Sequence, residues 1–318
     1  MAASGVALLA GACLLLTVPA WAKELPIKTL SIEKKADAYE IAIQYPATGN
    51  AAIDGEIAAW ANREADDFVK LAAGADRQAG DNPYELDWSF EVARNDGAVF
   101  AVIFSEEADT GGAHPNHDIA TFNFEVPGGW RLYLPEIFER KALAKISGLA
   151  VADLTKQFAD GHNGGGDPDW VKQGAGPDWD NFRDFILDKD KLQIHYPDYQ
   201  VAAYAEGPQE TDFPLAALKG LTRSDRHAPV ASFDCAAAAT PIEKAICSDV
   251  VLARLDRDVA EAFVRGVRFA TEDAAKEKLK TGQRAWLGQR DAACPTAAVP
   301  CLATAYRDRL ATLEKPVE

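Results

Sequence analysis

Four cysteines, Cys235, Cys247, Cys294 and Cys301, all fall in the last third of a 318-residue chain, and they constrain its fold more than any other feature. The segment around them, from about Ser232 to Lys315, carries helical signals throughout. Thr240-Pro-Ile-Glu243 has the pattern of a capping box, with Pro241 at the first helical position. Ser248 can cap a second helix whose inward stripe is Leu252, Leu255, Val259 and Phe263. Thr271 can start a third, with Leu279, Trp286 and Leu287 inward, and Leu302, Tyr306, Leu310 and Leu313 repeat at helical spacing along a fourth. Four modest helices make a small core, and small cores commonly need covalent staples. Four cysteines allow three pairings. Proximity favours Cys235–Cys247 and Cys294–Cys301, and sequence leaves the other two open. Zinc is the competing use, but there is no C-x2-C pair and no histidine after His227 to support it.

A disulfide framework needs an oxidising compartment. Residues 1–22 supply the route: an apolar run from Val6 to Pro19 precedes Ala20-Trp21-Ala22, an ending suited to signal peptidase. The run is shorter than the ~18–20 residues that cross a bilayer, so it reads as a signal peptide that takes Cys13 with it. No other segment could span a membrane. The expected location is periplasmic or secreted, with no stable membrane insertion after cleavage.

At 48% hydrophobic and 26% charged, the chain is globular rather than disordered. Its net charge of −16 argues against nucleic acid and anionic membranes as partners and favours basic ones. From Ala231 onward 13 basic residues balance 13 acidic ones. That leaves 20 of the 33 basic and 36 of the 49 acidic residues in the first 230, so the whole imbalance sits there. Such asymmetry suggests two units with different surfaces. Residues 23–221 form the first domain, the polar stretch 222–231 the linker, and 232–318 the helical domain.

Within 23–221, Tyr39 to Tyr45 alternates apolar and polar positions like a half-buried strand. Ala51 to Ala73 reads as a helix on Ile53, Ile57, Trp60, Ala61, Ala65, Phe68 and Leu71. Leu86–Val92, Val99–Phe104 and Ile119–Val126 are strands separated by turn chemistry at Asn95-Asp-Gly97 and Pro127-Gly-Gly129. Trp130–Leu134 continues the sheet and Lys141–Phe158 is a second helix. Gly161–Asp180 reads as a long loop, Phe185–Leu187 and Leu192–Tyr196 as a hairpin, Val201–Tyr204 as a strand and Pro214–Leu221 as a short closing helix. The fold class is α+β with a mainly antiparallel sheet and flanking helices, followed by an all-α disulfide-stabilised domain.

Hydrolase signatures are missing: no Gly-x-Ser-x-Gly, no His-Glu-x-x-His and no phosphate-binding glycine loop. The sharpest local signal in the first domain is Gly111-Gly-Ala-His-Pro-Asn-His117. Gly112, His114 and Asn116 are candidate binding residues there, with backbone bonding by His114 and Asn116 as the structural use. A metal at His114 and His117 would need further ligands, such as Asp118 or Asp160, and the reading assigns neither metal nor cofactor. Trp170 and Trp179, in the loop, are either contact anchors or buried against the sheet. The loop's carboxylates do not fit the calcium-loop spacing.

Phe233-Asp-Cys235, Thr240 to Cys247, Leu252 to Asp256, Gln283-Arg-Ala-Trp-Leu-Gly-Gln-Arg290, Cys294, Cys301-Leu302 and Tyr306 together resemble the LprI-type lysozyme-inhibitor domain, from about Ser232 to Leu313. The first domain resembles the extracellular domain of RsiV-type, lysozyme-sensing anti-sigma factors, also found as a non-catalytic module in some cell-wall deacetylases. Gly111 to Asn116, Leu132-Tyr-Leu-Pro-Glu-Ile-Phe138 and Tyr199 to Gly207 carry that resemblance. No sigma-binding segment accompanies it, so anti-sigma function does not carry over. Both resemblances imply an exported protein that binds lysozyme or a related muramidase, a lysozyme-like basic protein, and the lack of a catalytic constellation ranks an enzyme last. The other reading is a cell-envelope protein that binds peptidoglycan or a secretion partner without inhibiting lysozyme.

Overall fold

The computed structural model describes residues 23–76, 78, 81–159, 167–269 and 273–313. The signal segment with Cys13, together with Asp160, His162 and Thr271, lies outside the described residues. The chain divides into two compact units: the chain up to Ala65 with Gly80–Thr222, and Asp66–Ala79 with Arg223–Glu318.

The first unit holds a six-stranded sheet in sequence order: β1 (Lys28–Ala36), β2 (Tyr39–Ala47), β3 (Tyr84–Asn95), β4 (Val99–Asp109), β5 (Asn116–Glu125) and β6 (Trp130–Arg131). Only β2 and β3 pair in parallel, because α1 (Ala51–Gly74) crosses over between them. All other neighbours are antiparallel. β1 gave no sequence signal for a physical reason: seven of its nine residues are exposed, so it has no buried face to pattern. The α1 helix buries Ile53, Ile57, Trp60, Ala61 and Ala65. Trp60 sits at the centre, its ring 5.1 Å from Trp88, 4.4 Å from Phe104 and 5.4 Å from Phe122. Aromatic rings in such edge and tilted contacts each contribute about 1 kcal/mol beyond their buried area.

Trp130–Leu134 is corrected at its end. The strand stops at Arg131, and α2 (Leu134–Ile137) begins with Pro135 in its first turn. Next comes α3 (Arg140–Ala159), which buries Ala142, Ile146, Ala150, Leu154 and Phe158 at helical spacing. It belongs to one core with the residues of a second sheet, β7 (Phe185–Leu187), β8 (Lys191–Tyr196) and β9 (Gln209–Pro214). Two expectations fail around that sheet. The stretch read as a loop contains α4 (Pro168–Gly174), capped by Asp167, and a 3-10 turn at Trp179–Phe182 capped by Asp178. Val201–Tyr204 is no strand: Val201 and Ala202 are buried in irregular chain, and the third strand lies later, at β9. An apolar pair in short irregular chain looks the same, by periodicity, as a short strand. The closing helix is reduced to a 3-10 turn at Leu215–Leu218, since Pro214 ends β9.

β7 is joined to β5 by side chains instead of a ladder. Thr121 Oγ1 accepts from Phe185 N–H at 2.9 Å. The Asn123 amide donates to Phe185 C=O at 2.7 Å and accepts from Leu187 N–H at 2.8 Å. A side-chain amide offers the same donor–acceptor pair as a peptide, so the edge of β7 is satisfied without a further strand.

The second unit contains α5 (Pro241–Ser248), α6 (Val250–Phe269), α7 (Asp273–Ala293) and α8 (Val299–Leu313). Both halves of the capping box form at α5: Thr240 Oγ1 accepts from Glu243 N–H, and Glu243 accepts from Thr240 N–H. The cap of α6 is Asp249 and not Ser248. Asp249 Oδ1 accepts from Val251 and Leu252, while the Ser248 hydroxyl donates back to Ala245 C=O. Disulfides join Cys235 to Cys247 and Cys294 to Cys301. Their surroundings include the buried cluster of Ile246, Leu252, Val259, Leu302 and Tyr306.

Candidate functional site

The turn after β4 brings Gly111–Pro115 to the start of β5, and His117 lies across from Glu107 in the β4–β5 register. The chain after β8 carries Asp198 and Tyr199, and the 3-10 turn Tyr204–Glu206 carries Tyr204, to the same place. There the His114 ring stacks on Tyr204, centroids 3.6 Å apart and planes at 19°. The His117 ring is also nearly parallel to Tyr204, at 5.6 Å and 11°. His117 Nδ1 lies 3.1 Å from Asp198 Oδ2, with the Asp198 side chain only 3% exposed. Asp198 Oδ1 and Glu206 Oε2 are shielded from solvent and have no hydrogen-bond partner among the described residues. Desolvation, then the fields of Asp198 and Glu107, raise the Tyr204 hydroxyl above its usual range.

Tyr199 is the exposed ring of this patch, at 50%, and it stands 5.9 Å from Tyr204. Its backbone is left-handed, at φ 64°, a conformation that strains a residue with a Cβ by about 1–3 kcal/mol. Three contacts hold it there. The Trp170 indole donates to Tyr199 C=O at 2.9 Å. The Gln200 amide donates to Gly174 C=O and Asn181 C=O. Gly174, at the end of α4, lies so close to the Gln200 carbonyl that only a residue without a Cβ fits.

The candidate residues separate accordingly. His114 and Trp170 reach the patch, His114 as a ring within it and Trp170 as the brace behind Tyr199. His114 also makes the expected local contact, Nδ1 to Pro115 C=O at 2.9 Å. Gly112 and Asn116 are exposed in the same turn, and no side-chain bond fixes Asn116 among the described residues. Trp179 is elsewhere: it is half-buried and packs on the core of α3 and the second sheet. Sequence reading did not single out Asp198, Tyr199 or Tyr204. Both tyrosines sit in a stretch quoted for the family resemblance, but no local pattern marks Asp198.

A second set of carboxylates lies one residue along the same strand pair, where side chains point to the other face. Glu106 and Asp118 are direct cross-strand partners. Burial, then the charges of Asp118 and Glu64, push the Glu106 carboxyl up to about 8. Arg183 Nε lies 3.1 Å from the buried Asp184, whose carboxyl burial lifts despite that partner. Among the described residues no group of three or more His, Cys, Asp or Glu side chains has a metal-holding arrangement. No nucleophilic side chain is hydrogen-bonded to the His117 ring among them either.

In the helical unit, the residues that carried the family resemblance meet in one buried network. Arg290 donates to the Tyr306 hydroxyl at 2.7 Å, and that hydroxyl donates to Asp256 Oδ1 at 2.7 Å. Asp256 Oδ2 accepts from Ser232 N–H and Oγ–H. Trp286 stands edge-on to Tyr306 at 5.3 Å, with Arg290 and Arg309 over its ring. These motif residues fasten α6, α7 and α8 together.

Residues 135–216 match the family described as protein of unknown function DUF3298, and residues 235–313 match lysozyme inhibitor LprI. Peptidoglycan-N-acetylmuramic acid deacetylase PdaC of Bacillus subtilis (strain 168) is 26% identical over 187 residues, which is 58% of this chain and 39% of that protein. The chain therefore spans well under half the length of this relative. Two solved DUF3298 family structures, from Bacteroides fragilis NCTC 9343 and Pseudomonas aeruginosa PAO1, are 16% and 14% identical. Each covers 64% of this chain, with 96% and 97% of the respective structure covered, at a TM-score of 0.45 for both. The chain carries an LprI lysozyme-inhibitor domain at its C-terminus, preceded by a DUF3298 domain.

Proposed function

We propose that this protein works outside the cytoplasm by binding a lysozyme-like basic protein, and that it has no catalytic activity of its own. The match of residues 235–313 to the lysozyme inhibitor LprI carries this reading. Two formed disulfides suit an oxidising compartment, and no described helix is long and apolar enough to cross a membrane. The net −16 confined to the first 230 residues adds long-range attraction for a cationic partner, which raises association rates at low salt. The aromatic and carboxylate patch of the first unit has the chemistry of a contact surface for such a partner.

The deacetylase relative favours a second reading, binding to peptidoglycan itself. Titrating the mature full chain with a chicken-type lysozyme at low and moderate salt tests the first. The expected result is binding that weakens as salt shortens electrostatic reach to about 8 Å, together with slower lysis of a cell-wall suspension. No binding at low salt overturns it. Sedimentation of the protein with isolated peptidoglycan in the absence of lysozyme supports the second reading instead.

A further inference from the structure

Four features coincide around Tyr204. His114 and His117 lie parallel to its ring, and Tyr199 stands beside it half exposed. The Asp198 side chain is almost fully buried; among the described residues one oxygen meets His117 and the other has no donor. Glu107 lies across the strand pair from His117. Tyr199 keeps its ring in this position at the cost of a left-handed backbone. Native chains rarely leave buried carboxylate oxygens unbonded, and strained backbone clusters where ligands are clamped. A planar donor suits such a patch, because it can lie on the exposed Tyr199 ring and meet the exposed carboxylate of Glu107 opposite His117.

From this geometry we propose that the patch formed by Tyr199, Tyr204, His114 and Asp198 receives an arginine side chain of the partner protein. A guanidinium stacks flat on aromatic rings and forks its N–H donors toward carboxylates. An ammonium does neither as well, so arginine is preferred to lysine. A neutral glycan could also stack on the tyrosines, but it brings no cationic donor to Asp198 and Glu107, and the lactyl and peptide carboxylates of cell-wall glycan would be repelled by them. The inference rests on the lysozyme reading only for who brings the arginine; the chemistry of the patch does not depend on it.

The test uses the mature full chain and three blocked tripeptides, Gly-Arg-Gly, Gly-Lys-Gly and Gly-citrulline-Gly, with chitotetraose as the glycan probe. Binding is read from the His114 and His117 side-chain resonances, and lysozyme binding is measured in parallel. The arginine peptide is expected to shift both signals. Citrulline and chitotetraose should leave them in place, and lysine should bind about tenfold more weakly. Asp198→Asn and Tyr199→Gly should each weaken the arginine peptide about tenfold or more. Glycine at 199 removes the ring while relieving the backbone strain, and an unchanged thermal unfolding curve separates loss of the ring from loss of the fold. Equal response to citrulline and arginine, a response to chitotetraose alone, or unchanged binding in both variants overturns the proposal. Arginine binding without lysozyme binding supports the patch and rejects lysozyme as the partner. Lysozyme binding that is indifferent to both variants does the reverse.

Discussion

Gly174 and Gln200 meet so closely that a Cβ on Gly174 would stand 1.8 Å from the Gln200 carbonyl oxygen. Since Gln200 follows the strained Tyr199, this contact sets the position of the exposed ring. Gly174→Ala must push α4 and the 198–204 segment apart. We expect a loss of about 1–3 kcal/mol, the usual cost of overpacking, in a denaturant titration. Partner binding should weaken by more than that loss of stability explains.

Glu106 gives the first unit a pH dependence of definite sign. Its carboxyl holds its proton up to about 8 when folded, against 4.5 ordinarily. Its contribution to stability is fully present below about 4.5 and is lost as pH rises toward 8, because the unfolded chain ionises first. The slope from this group is at most about 1.4 kcal/mol per pH unit. In Glu106→Gln the group cannot ionise. The stability of the native protein minus that of this variant should therefore fall between pH 4.5 and 8 and level off above it. A flat difference across that window contradicts the assignment.

Asn123 serves as the missing neighbour of β7. Asn123→Ala strands the buried Phe185 C=O and Leu187 N–H. Unfulfilled buried groups cost about 1–3 kcal/mol each, so unfolding measurements should show a loss of about 3 kcal/mol. Asn123→Asp should cost more, since a carboxylate would face the Phe185 carbonyl. Amide hydrogen exchange at Leu187 should accelerate in both variants.

In the helical unit, Tyr306→Phe removes the hydroxyl that links Arg290 to Asp256. The expected loss is about 2 kcal/mol, because a buried guanidinium and a buried carboxylate each lose a bond. Trp286 fluorescence should report the change, as its ring lies 5.3 Å from Tyr306.

Reduction should weaken the same unit. The disulfides close loops of 12 and 7 residues, each contributing roughly 2–3 kcal/mol by chain entropy. Thermal unfolding under reducing conditions should show the helical unit melting earlier. Thiol titration of the oxidised mature protein should find no free cysteine.

By itself, the sequence determined whatever depends on near neighbours along the chain. Burial on one face wrote the helical spacing of α1 and α3 and the alternation of β2. Thr240 and Glu243 are three residues apart, so their capping box is visible as a pattern. The two disulfides joined the cysteines that proximity favoured. Only the tertiary structure decided what depends on distant partners. β1 pairs with β2 but keeps most of its residues exposed, so no periodicity revealed it, and the third strand after β8 was misplaced because Val201 and Ala202 are buried without pairing. His117 and Asp198 are 81 residues apart, and His114 meets Tyr204 only because the β4–β5 turn and the chain after β8 end at one place. No local propensity encodes such a meeting. It follows from sheet register and from the close approach of Gly174 to Gln200, which three-dimensional packing alone can fix.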